Sequence, residues 1–133
     1  MMPEDAAVWT RFLNRGGHGI EAVWYDVHVG KAVELPVNSP QWLHTVAQGV
    51  TRKRIDVVAR QNGRYLIIEV KPYANQLALG QAFVYRRLFE VEFPSLGPSV
   101  GRIVCDQIDV DVGPIAAQMG VLVLSNEFIP VII

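Results

Sequence analysis

Apolar residues near the start of the chain recur three and four positions apart. Val8, Trp9, Phe12 and Leu13 form one stripe, which predicts a helix over residues 3–15. Pro3 suits a first helical position, Glu4 and Asp5 suit a first turn, and Gly16-Gly17 ends the element. The period then drops to two. Val23, Tyr25, Val27 and Val29 share one face of a predicted strand over 22–29. Gly30-Lys31 turns the chain into a short predicted strand at 32–35. A short helix beginning at Pro40 follows, capped by Asn38 or Ser39, with Leu43, Val46 and Ala47 on its inner side. Strands over 54–61 and 64–71 flank Asn62-Gly63, a two-residue hairpin signal, and Pro72 stops the second. A helix from Asn75 to Phe89, a strand over Val100–Cys105, a helical turn near 115–119 and a strand over Val121–Ser125 complete the pattern. This order, in 133 residues, predicts one α/β (α+β) domain over 1–133, a central mixed sheet flanked by helices.

The hairpin turn dictates a register. With Asn62-Gly63 as the loop, Gln61 faces Arg64, Val58 faces Ile67, Asp56 faces Glu69 and Arg54 faces Lys71. Asp56 and Glu69 fall on a non-hydrogen-bonded pair, where side chains stand closest. Ile55, Val57, Ala59, Leu66, Ile68 and Val70 form the opposite, apolar face. Two opposed carboxylates repel, so their pairing calls for a cation. Carboxylate oxygens are the hard ligands that Mg²⁺ and Mn²⁺ prefer. Lys71, two residues beyond Glu69, projects from the same face and suits stabilisation of developing charge or orientation of an attacking water. The structural alternative is a surface network in which Arg54 and Lys71 neutralise the two acids.

Charge sharpens this picture. The net charge is −1, yet residues 35–89 hold eight basic residues and only two acids, Asp56 and Glu69, a local balance of +6. A basic face on a neutral chain suits a polyanion. The single cysteine, Cys105, leaves no disulfide framework or cysteine-cluster zinc site and is expected to be buried. Apolar runs stay far short of a spanning helix, and the first ten residues lack the basic and apolar regions of a signal peptide. The expectation is an intracellular, cytoplasmic domain with no membrane partner.

The run Ile55-Asp56, then Ile68-Glu69-Val70-Lys71 on the next strand, resembles the PD-(D/E)xK nuclease superfamily with its restriction-endonuclease-like αβββαβ core. Gln81 and Tyr85 on the following helix are similar to the Q-x-x-x-Y element of the RecB-type branch. The resemblance implies a metal-dependent DNA endo- or exonuclease with no evident sequence specificity. It implies Asp56, Glu69 and the backbone carbonyl of Val70 as ligands of Mg²⁺, with Mn²⁺ as a substitute. It implies Lys71 as the catalytic lysine, with Gln81 and Tyr85 supporting the site. The family often adds an acid from the first helix, for which Glu4 or Asp5 is the candidate and Glu21 a lesser one. The proline of the family name is absent here. Helical geometry independently places Leu77, Ala78, Gln81, Tyr85, Leu88 and Phe89 on one face. Arg52, Lys53 and Arg54, with Arg86 or Arg87, are the candidate DNA phosphate contacts.

Two rival functions follow from the same residues. One is a non-catalytic nucleic-acid- or protein-binding module on the same fold. The other is a subunit of a homodimer or larger assembly joined through the apolar end, Phe128–Ile133, which also suits core packing or an edge strand. By analogy, a small nuclease domain fits a phage or mobile-element setting, acting in the host cell. Asp26 with His28, and the Asp106, Asp109, Asp111 group, lack the further ligands of a metal site and are read as solvated surface.

Overall fold

Parallel strands need a crossover of a dozen or more residues, whereas antiparallel neighbours need only a turn. The computed structural model, which describes residues 1–16 and 18–127, follows that rule. Helix α1 (Pro3–Asn14) precedes β1 (Ala22–Val29); α2 (Gln41–Thr51) links β1 to β2 (Lys53–Gln61); and β3 (Arg64–Ala74) closes an antiparallel meander. Helix α3 (Gln76–Glu92) then crosses to β4 (Ser99–Ile108), and α4 (Val112–Gln118) to β5 (Leu122–Ser125), both parallel additions. The five-stranded mixed sheet has the order β1-β2-β3-β4-β5. Both crossovers step in one direction, and the right-handed rule puts both helices on one face. There Ala78, Leu79 and Ala82 of α3 and Val112 and Ala116 of α4 pack on Ile103 and Cys105. On the other face, Val8 and Trp9 of α1 cover Val57, Ala59, Leu66, Ile68, Val70 and Val104. The protein is therefore an α/β molecule with a central mixed sheet between helical layers. No helix among the described residues is long and apolar enough to cross a membrane.

The hairpin keeps the expected register from Gln61↔Arg64 to Val57↔Ile68. Asn62 (φ 52°) and Gly63 (φ 76°) take the two positive φ angles of the tight turn. Other expectations give way. Residues 31–36 form no strand, because β2 pairs directly with β1 and leaves them no neighbour. Neither Asn38 nor Ser39 caps α2; Pro40 occupies the cap position, and Ala47 is the only fully buried residue of that helix. Pro72 does not stop β3, which runs to Ala74. The β2–β3 ladder has ended before that point, so the missing N–H breaks no bond to β2. Helix α3 turns its stripe by one position: Ala78, Leu79, Ala82 and Phe89 are buried, and Leu77 is exposed. The C-terminal expectations for Phe128–Ile133 lie outside the described residues.

One departure shapes the site. Strict alternation puts Ile55 beside Val57, but Ile55 instead joins Val29, Val58, Ile67 and Phe89 in a third core cluster. The pleat breaks at the residue between them, Asp56. Across from it, Asp26 adopts φ 52° and is missing from a register that resumes unshifted at Val27↔Ile55. Aspartate is among the few side chains that tolerate this left-handed conformation.

Candidate active site where two strands part

From Asp56 back to Lys53 β2 pairs with β1 and no longer with β3, while beyond Ile68 β3 continues with β4, so the two hairpin strands fork. Asp56 sits in the mouth of the fork. Its Oδ2 accepts the backbone N–H of Val70 at 2.9 Å, a bond that replaces the next rung of the ladder. That single contact ties the carboxylate to the strand carrying Glu69 and Lys71.

Glu69 is only 2% exposed. It pairs in register with Ile103, which faces α3, and Lys71 pairs with Cys105 on the same side. Burial first, then the adjacent Asp56 carboxylate, push the Glu69 carboxyl up to about 9. Burial also raises Asp56, against the opposing pull of the Val70 N–H and the Lys71 charge. The Glu69 Oε1 atom is buried and has no hydrogen-bond partner among the described residues. A buried acceptor without a donor is costly, and a bound cation is one way to satisfy it.

Lys71 Nζ lies 3.6 Å from Oδ2 of Asp5. Asp5 is buried in α1, on the opposite layer, so this ion pair spans the sheet at the fork. Glu4 is exposed and is not brought to the site. The signal lay in the helix stripe: Asp5 stands three, four and seven residues before Val8, Trp9 and Phe12, whereas Glu4 aligns with Val8 alone. Glu21 lies elsewhere, with its carboxylate accepting the Asn62 N–H at 2.9 Å beside the turn.

Gln81 and Tyr85 do reach the fork. Burial and the charge of Glu69 raise the Tyr85 hydroxyl, and the nearby Gln81 side chain opposes them. The Gln81 Oε1 atom is buried and unpartnered like that of Glu69. The arginines divide. Arg52 donates to the carbonyl of Gly30 at 2.9 Å and pairs with Glu92, and Arg86 pairs with Glu90 at 3.1 Å. Lys53, Arg54 and Arg87 are exposed and make no ion pair among the described residues.

No group of three or more His, Cys, Asp or Glu side chains forms a ready metal cage among the described residues. What the fork offers is a two-carboxylate set beside the Val70 backbone, with the third acid, Asp5, engaged by lysine. Elsewhere, Asp26 is taken by the chain's first amino group at 2.7 Å and His28 by the Gly49 carbonyl at 3.0 Å. Cys105 is buried, and its thiol is pushed up to about 11.

No family model and no curated protein matches the sequence. Among solved structures, the crystal structure of a protein of unknown function, AF1548, is similar in fold. The TM-score is 0.55 at 16% identity, over 90% of this chain and 56% of that one. This chain thus spans little more than half the length of that neighbour, and the likeness is one of fold alone.

Proposed function

We propose that the chain is a metal-dependent deoxyribonuclease of the PD-(D/E)xK type, hydrolysing DNA phosphodiester bonds. The observation that carries this reading is the fork. The Asp56 and Glu69 carboxyls are neighbours just beyond the last rung between β2 and β3, and a lysine follows two residues on. A hard divalent cation fits this donor set: the Val70 carbonyl and two carboxylates, of which that of Glu69 has a buried oxygen with no hydrogen-bond partner among the described residues. Mg²⁺ sites ordinarily use one or two carboxylates and leave other positions to water and substrate phosphate. Bound there, Mg²⁺ or Mn²⁺ would supply a water of lowered pKa and stabilise charge on the scissile phosphate.

The protein's own groups have separable tasks. The Val70 N–H orients Asp56. Lys71 holds a positive charge beside both carboxylates and is steadied by Asp5, which makes Asp5 a positioning residue. Gln81 and Tyr85 border the Glu69 side of the fork. Of the five candidate phosphate contacts, Lys53, Arg54 and Arg87 have no carboxylate partner among the described residues and are left to bind flanking phosphates; Arg52 and Arg86 already have carboxylate partners.

The test is cleavage of linear, branched, single-stranded and supercoiled DNA with Mn²⁺. Asp56→Ala, Glu69→Ala and Lys71→Ala should each lose roughly a hundredfold or more, the scale of a removed catalytic group. Wild-type protein that cuts none of the four substrates refutes the reading. Mn²⁺ titration by calorimetry, with Asp56→Asn as control, separates it from a non-catalytic binding module. The module predicts no Mn²⁺ binding that depends on Asp56.

A further inference from the structure

A second cavity lies on the α1 side of the sheet, about 580 Å³ in volume, between the end of α1 and the strands β3, β4 and β5. It is separate from the fork. Arg64 precedes Glu69 by five residues of extended chain, roughly 16 Å. Arg102 pairs in register with Ile68, which faces α1, whereas Glu69 pairs with Ile103, which faces α3. The lining from β3 is apolar, Leu66 and Ile68. One wall is aromatic: Phe12 stacks on His18 with ring centroids 5.6 Å apart.

The rim is cationic, and no acidic side chain among the described residues lines it. Arg15 is already committed, donating to the Ser125 carbonyl at 2.7 Å. Arg64 and Arg102 are not. Neither has a carboxylate partner among the described residues, and Arg102 makes a single hydrogen bond, to the Gly101 carbonyl at 3.0 Å. A guanidinium has five N–H donors to satisfy. Burial and the neighbouring charge of Arg64 both weigh against the charged form of Arg102. A half-buried cation beside a second cation is a cost that an anionic ligand would offset.

We infer that this cavity binds a phosphomonoester carried on an aromatic body, the chemistry of a nucleotide, with Arg64 and Arg102 holding the phosphate and the Phe12–His18 wall meeting the base. Two forked guanidiniums match a dianion better than a single carboxylate does. The volume falls within the few hundred to a thousand Å³ usual for small-molecule sites. This inference goes beyond the nuclease reading and stands without it.

The test is calorimetric titration of the full chain with adenosine monophosphate, adenosine and inorganic phosphate, in EDTA so that the fork carries no metal. The monophosphate should bind at least tenfold more tightly than either fragment. Arg102→Met and Arg64→Gln should each weaken it tenfold or more. Arg102→Met should also raise the melting temperature, because it removes an unpaired half-buried charge. A 5′-phosphorylated oligonucleotide that binds more tightly than the free monophosphate assigns the site to a strand end, and the reverse order assigns it to a free nucleotide. The inference is overturned by no binding of the monophosphate at millimolar concentration. Binding no tighter than that of phosphate alone, or an Arg102→Met variant that melts lower and binds normally, overturns it too.

Discussion

Glu69 concentrates the chemistry of the fork in one side chain. Its folded carboxyl titrates near 9 against an ordinary 4.5. The folded protein therefore keeps a proton that the unfolded chain releases above pH 4.5. Stability from this group is complete below that value and is lost as pH rises towards 9. Metal-free protein should accordingly weaken in urea melts between pH 5 and pH 8. Glu69→Gln keeps the shape without the titration and should flatten the slope. At pH 8 it should be the more stable protein by on the order of a few kcal/mol. An unchanged slope in the variant would mean that Glu69 is ionised in the folded state. The same substitution removes a candidate metal ligand, so greater stability and lost Mn²⁺ affinity should appear together.

At the scale of elements, the fork depends on a turn at one end and a kink at the other. Asn62 and Gly63 hold the β2–β3 register, and both have positive φ. Gly63→Ala places a Cβ in the left-handed region and should cost about 1 kcal/mol, read as a lower urea midpoint with unchanged m. Larger loss of Mn²⁺ binding than of stability would show that register, beyond mere folding, serves the site. The turn explains why so much was legible in advance. A two-residue loop propagates its register outward by arithmetic, and that holds as far as Val57↔Ile68; the expected pairs Asp56↔Glu69 and Arg54↔Lys71 do not form, because the strands part there, yet Asp56 stays beside Glu69 through its bond to the Val70 N–H. Gln81 and Tyr85 came from the resemblance to a nuclease motif and a helix face. What lay beyond reach came from neighbours in space. The departure of β2 from β3 is set by the competing partners β1 and β4, and Ile55 changes layers because Asp26 kinks the opposite strand. The continuation of β3 through Pro72 has the same origin, since proline is excluded only where a ladder partner waits. Asp5 rather than Glu4 could have been chosen from the α1 stripe, but its partner Lys71 comes from the other side of the sheet.

For the whole molecule, a net charge of −1 gives DNA no long-range attraction to the chain as a body. On the proposed reading DNA binding would come from a local face, and the structure divides the five candidate phosphate contacts into two sets. Arg52, at the end of α2, holds Glu92 at the end of α3, and Arg86 holds Glu90 one turn on in α3. Lys53, Arg54 and Arg87 are exposed and unpaired among the described residues. Each phosphate contact releases counterions and adds about 0.9 to the slope of log affinity against log salt on B-DNA. Replacing Lys53, Arg54 and Arg87 together by glutamine should therefore shallow that slope by roughly 2–3, with little change in melting temperature. Arg52→Gln should do the opposite: lower the melting temperature through loss of the Glu92 pair and the Gly30 carbonyl contact, and leave the slope nearly unchanged. Filter binding across a salt series reads both. If the slope follows Arg52 and ignores the exposed trio, the phosphate contacts assigned to Lys53, Arg54 and Arg87 are wrong.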